Sequence, residues 1–73
     1  MTTEMDFRLR GDYITLDALL KATGLVASGG NAKLPIAAGS VTVNGEPELR
    51  RGRKLRAGDT VSLGSACVHV RAA

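Results

Sequence analysis

Thr15-Leu16-Asp17-Ala18-Leu19-Leu20-Lys21-Ala22-Thr23-Gly24-Leu25 is the stretch on which the fold turns. Leu16, Leu19, Leu20 and Thr23 recur at helical spacing and make one face. Thr15 is the expected amino cap, and Asp17 falls in the first turn, where the helix dipole favours a negative charge. Gly24 stands where a left-handed residue stops a helix, with Leu25 as its hydrophobic partner. A helix of about two turns does not persist alone in water, so its leucine face must be held by packing.

The flanking segments supply what it packs on. Upstream, Asp6 to Ile14 opens with strand periodicity, Phe7 and Leu9 to one side and Arg8 and Arg10 to the other, and breaks at Gly11-Asp12. Downstream, a second helix is predicted from near Ser28, with Ala32 and Ile36 sharing a face and Gly39 as the stop. Pro35 in a helix interior would cost roughly 3 kcal/mol, so a late start near Asn31 or a loosened first turn is expected. Val41 and Val43 then alternate with polar residues, and Asn44-Gly45 is a hairpin turn because both residues tolerate positive φ. Pro47 keeps the returning segment at an edge. Residues 50–56 read as a loop, and Ala57-Gly58-Asp59 as a turn in which Asp59 bonds the backbone. Val61 and Leu63 form a strand, Gly64-Ser65 a turn, and Val68 and Val70 the last strand. The order predicts an α+β fold, a single domain over residues 1–73 with two short helices packed on a small, mostly antiparallel sheet.

Charge is unevenly placed along this frame. Arg50-Arg51-Gly52-Arg53-Lys54-Leu55-Arg56 holds five cations and no anion, whereas the rest of the chain holds five cations and seven anions. The whole positive excess behind the net +3 therefore lies in seven residues. Such a patch attracts polyanions. Gly52 allows a sharp bend, and arginine outnumbers lysine four to one, which suits two-pronged phosphate binding. With only Phe7 and Tyr13 as aromatics, and Phe7 read as core, the expected ligand is structured nucleic acid read through phosphate and shape rather than by base stacking.

Other chemistries find little support. Cys67 and His69, two apart on a strand, share a face but supply only half of a tetrahedral zinc site, and the sequence has no other cysteine or histidine. No metal, cofactor, catalytic centre or small-molecule substrate is predicted. One cysteine excludes an internal disulfide and fits a reducing compartment. The polar, acidic Met1–Asp6 is unlike a secretory signal, and no apolar run approaches the ~18 residues of a membrane span, so a cytoplasmic protein without membrane contact is expected.

The series Thr15-Leu16-Asp17…Leu20, Ser28…Ala32-Lys33…Ile36…Gly39, Val41-Thr42-Val43-Asn44-Gly45 and Leu55-Arg56-Ala57-Gly58-Asp59 resembles the S-four (S4) RNA-binding domain, named after the fourth small-subunit ribosomal protein. Leu20-Lys21-Ala22-Thr23-Gly24-Leu25, Ser28-Gly29-Gly30 and Arg50–Arg56 are similar to the short bacterial proteins made of this domain alone. The resemblance spans about residues 7–63. It implies a two-helix RNA-binding arrangement, the αL motif, with RNA against the start of the second helix at Ser28, Gly29, Gly30, Asn31 and Lys33, and beside it the cations Arg50, Arg51, Arg53, Lys54 and Arg56. Many relatives carry arginine where Thr15 and Gly29 stand, which shifts the burden onto the basic run.

The expected function is non-catalytic binding of structured RNA, with ribosomal RNA the form the resemblance suggests. The competing expectation is a protein-interaction adaptor whose basic run docks on an acidic partner.

Overall fold

The computed structural model describes residues 3–27 and 32–73. Its elements follow in the order β1 (Thr3–Arg8), β2 (Ile14–Thr15), α1 (Leu16–Ala22), α2 (Lys33–Ala37), β3 (Val41–Val43), β4 (Glu46–Pro47), β5 (Lys54–Leu55), β6 (Thr60–Leu63) and β7 (Ala66–Arg71). Two short helices accompany a five-stranded sheet of order β1-β7-β6-β3-β4 and a two-stranded ribbon of β2 and β5. Every pairing is antiparallel except β1 with β7. The predicted α+β architecture, two helices on a mostly antiparallel sheet, is the one observed.

Both helices end by the same device. Gly24 and Gly39 take φ of 79° and 76°, a region that costs a side-chain-bearing residue dearly. The Leu25 N–H then donates to the Leu20 carbonyl at 3.0 Å and the Gly24 N–H to Lys21 at 3.1 Å. After α2, Ser40 donates to Pro35 at 2.9 Å and Gly39 to Ile36 at 3.1 Å. These paired bonds satisfy carbonyls that a helix end leaves open.

Pro35 is accommodated without a lost bond. It is the third residue of α2, and the Ile36 N–H just after it donates to the Ala32 carbonyl at 3.2 Å. The missing N–H thus falls among first-turn groups that have no partner within a helix. The late start expected from the sequence is realised at Lys33, while the earlier start near Ser28 lies outside the described residues.

Leu16, Leu19 and Leu20 of α1 and Ala32 and Ile36 at α2 are buried, and they meet Val41, Val43, Val61, Val68 and Val70 from the sheet. Phe7 packs half-buried against this cluster, as expected of a core residue. Asn44 and Gly45, at φ of 54° and 86°, close the β3–β4 hairpin, with Val43 opposite Glu46. Two positive φ values in a two-residue loop match the right-handed twist of the flanking strands. Pro47 lies on β4 at the sheet edge, where its lack of an N–H costs no ladder bond.

One sequence expectation is corrected. Residues 50–56 are not a loop throughout, because Lys54 and Leu55 form β5, paired with Thr15 and Ile14. The cause is Leu55, which is fully buried and joins the core. A single apolar side chain amid five cations pulls the backbone onto the body of the protein.

Candidate nucleic-acid interface

The basic run is held from both ends. The first N–H groups of α1 have no partner within the helix. Leu16 donates to the Arg53 carbonyl at 2.9 Å and Asp17 to the Arg51 carbonyl at 3.1 Å. The loop backbone thus does the work expected of Thr15, which stands at the cap position without a side-chain cap bond. Residues Arg51 and Gly52 are the central pair of a tight turn from Arg50 to Arg53, closed by an Arg53 N–H to Arg50 carbonyl bond of 3.4 Å. At the far end, the Arg56 N–H donates to Asp59 Oδ2 at 2.9 Å. Burial pushes the Asp59 carboxyl up, but the Arg56 N–H, the Asn44 amide and the charges of Arg53 and Arg56 outweigh it and leave its pKa lowered.

Beneath the run lies Glu48, the one buried charged residue among those described. Its carboxylate accepts from the Arg50 N–H, Nε and Nη2, each at 3.2 Å, and from Arg53 Nη1 at 2.8 Å. Hydrogen bonds from Arg50 and then Arg53 hold it in the charged form and lower its pKa to about 2, and the same contact raises Arg50. A charged acceptor shared by two guanidinium groups fixes both in position. Arg51, Lys54 and Arg56 make no ion pair among the described residues. Arg50, Gly52, Arg53, Lys54 and Arg56 line an open cleft of about 580 Å³.

The structure therefore brings four of the five predicted cations, Arg50, Arg53, Lys54 and Arg56, into one cleft, while Arg51 stands exposed in the adjoining turn. Lys33 stands exposed as the first residue of α2, on a separate element. Ser28, Gly29, Gly30 and Asn31 lie outside the described residues. Two neighbours of the basic run were missed by sequence reasoning. Glu48 has no periodic signature, and only its place two residues before Arg50 could have suggested it. Tyr13 was set aside with the scarcity of aromatics. It lies 46% exposed, with Lys54 Nζ 5.0 Å and Arg56 Cζ 6.0 Å from its ring centroid.

A second group of chemically capable side chains sits on the open face of the sheet. The β1–β7 register sets Glu4 opposite Cys67, and Glu4 Oε1 lies 3.3 Å from His69 Nε2, which is 3.9 Å from Cys67 Sγ. Glu4 thus adds a third donor to the pair visible in the sequence, one short of the four that close a structural zinc site.

Two short helices lie on a small, mostly antiparallel sheet, as the resemblance to the S4 domain implied. The family model for that domain matches residues 7–71, and the chain belongs to this family. The match runs past the Leu63 at which the sequence resemblance stopped and takes in β7. RlbA of Bacillus subtilis (strain 168), named a probable ribosome maturation protein, is 46% identical over 52 residues, covering 71% of this chain and 73% of RlbA. YbcJ of Escherichia coli (strain K12) is 43% identical over 58 residues, covering 80% of this chain and 83% of YbcJ. The solution structure of YbcJ, described as revealing an αL motif involved in RNA binding, superposes with a TM-score of 0.70 at 40% identity. It covers 90% of this chain and 85% of that one.

Proposed function

We propose that this protein is a non-catalytic, cytoplasmic RNA-binding protein that holds structured RNA, ribosomal RNA in particular, during ribosome maturation. The observation that carries the reading is the cleft lined by Arg50, Arg53, Lys54 and Arg56, with Glu48 orienting two of its arginines. Family membership supports it, as do the αL motif described in YbcJ and the maturation role in the name of RlbA. Phosphate oxygens are met by Arg51, Lys54 and Arg56 directly and by the outer N–H groups of Arg50 and Arg53. These contacts give affinity and register but no base preference. The family resemblance adds Ser28, Gly29, Gly30, Asn31 and Lys33 to this reading as residues that orient the RNA.

A filter-binding titration of a folded ribosomal RNA fragment against salt tests this. About four neutralised phosphates give log K against log salt a slope near −3 to −4. Arg51→Glu, Lys54→Glu and Arg56→Glu together, at positions outside the Glu48 contact, abolish measurable binding while the melting curve persists. A flat salt response, or binding unaltered by the triple substitution, refutes the mechanism.

A further inference from the structure

We propose that Tyr13 is a stacking subsite for one unpaired nucleobase at the margin of the cation-lined cleft. The inference rests on the RNA-binding reading and adds to it a contact with a base, where the cations contact only phosphate.

The placement of the ring follows from the β2–β5 ribbon. Ile14 pairs with Leu55, and both turn inward: Leu55 is fully buried and Ile14 packs against the core. Strand alternation then turns Tyr13 outward on one side, and Lys54 and Arg56 outward on the other. Tyr13 is nearly half exposed and stands apart from the side chains packed on the core. Its neighbours are Lys54 Nζ at 5.0 Å and Arg56 Cζ at 6.0 Å from the ring centroid, within cation–π range. Both of those cations also line the cleft.

The chemistry of this grouping matches a nucleotide. A nucleotide carries a π face and an anion separated by one sugar, and here a π face lies beside two cations without ion-pair partners among the described residues. A phosphate arriving at Lys54 and Arg56 draws them toward itself and opens ring surface to its own base. Tyrosine has few rotamers to lose, and the ribbon beneath it is pinned by Leu55 and by the Leu16 N–H bond to Arg53. One ring serves one base, so the ligand is a bulged or looped nucleotide within structured RNA, not a long single strand. The scarcity of aromatics in the sequence limits the number of stacked bases to one without excluding stacking.

The sequence provides an unusually direct test. Tyr13 is the single tyrosine and there is no tryptophan, so tyrosine emission of the full chain reports this ring alone. The chain is titrated with a blunt RNA duplex and with the same duplex carrying one bulged nucleotide. The bulged RNA is expected to quench the emission beyond the duplex. Tyr13→Ala should weaken binding of the bulged RNA by about 5- to 160-fold, the range for one stacked base. Its salt slope and its affinity for the blunt duplex should stay unchanged, and Tyr13→Phe should restore binding. Tyr13→Leu, which keeps apolar bulk without a π face, should behave as the alanine variant and covers the case in which alanine unfolds the ribbon. Equal quenching by both RNAs together with unchanged binding by the alanine and leucine variants overturns the subsite, yet leaves phosphate binding standing if the salt slope persists. Absence of salt-dependent binding to either RNA overturns the underlying reading and the subsite with it.

Discussion

Replacing Glu48 with glutamine changes the charge of the interface by one unit while keeping the shape of the side chain. Residues 48–56 hold five cations and this one anion, a net +4 that becomes +5 in the variant. Arg50 and Arg53, now bound to the carboxylate at 3.2 and 2.8 Å, lose a charged acceptor, so the inner N–H groups and the charge that Glu48 offsets are freed for a further phosphate. Each added phosphate neutralised steepens the salt slope by about 0.7 to 0.9. With slopes near −3.6 and −4.5, a rise from 50 to 200 mM salt weakens the parent about 150-fold and the variant about 500-fold. Binding of an arbitrary RNA at low salt should therefore be equal or tighter in the variant. Binding of a cognate folded RNA should weaken relative to the arbitrary one, because the two arginines are no longer held in register. Filter binding or fluorescence anisotropy at four salt concentrations, with both RNAs, measures the slope and the ratio together. An identical slope in parent and variant would mean that the charge Glu48 offsets lies away from phosphate, and the role given to Glu48 beneath the cleft would fall.

Acid should uncouple the same contact. Glu48 has a folded pKa of about 2 against 4.5 ordinarily, so its contribution to stability is complete above about 4.5 and is lost as pH falls toward 2. Urea denaturation from pH 7 to pH 2 should show that loss, and Glu48→Gln should flatten the curve over the same window. Leu55→Ala should cost about 2–5 kcal/mol, because the side chain is fully buried. For a domain of this size that lowers the melting temperature by at least about 8 °C. A change within 2 °C would contradict the anchoring role of Leu55. Pro35→Ala should alter stability by no more than about 1 kcal/mol, since no intrahelical bond is restored. A gain near 3 kcal/mol in denaturant titration would show the proline to be strained where it stands.

Much of the fold was legible because its signals are local. The leucine spacing of α1, the stops at Gly24 and Gly39 and the Asn44-Gly45 hairpin each depend on a few neighbouring residues, and each is realised. The clustering of cations at Arg50–Arg56 is equally local. What could not be read was how that cluster meets the rest of the molecule. Leu55 was hidden among charges, and its burial turns part of a loop into β5. Glu48 follows the edge strand with no pattern around it, and its partners depend on the Arg51-Gly52 turn folding back over it. Tyr13 reaches Lys54 and Arg56 only through the pairing of β2 with β5.

The sequence by itself determined the α+β class, the two short helices, the mostly antiparallel strands and the concentration of positive charge in one segment. Periodicity, glycine conformation and charge density act over a few residues and need no knowledge of the whole. Tertiary structure alone decided the parallel partnership of β1 with β7, which brings Glu4 to His69 across 65 positions of chain. It also decided that α1 is capped by the carbonyls of Arg51 and Arg53, that Glu48 lies beneath the cations, and that Tyr13 stands among them. The reason is common to all four. Each is set by which backbone groups remain unpaired and which apolar side chains remain exposed once the local elements exist, and only the complete chain can satisfy both.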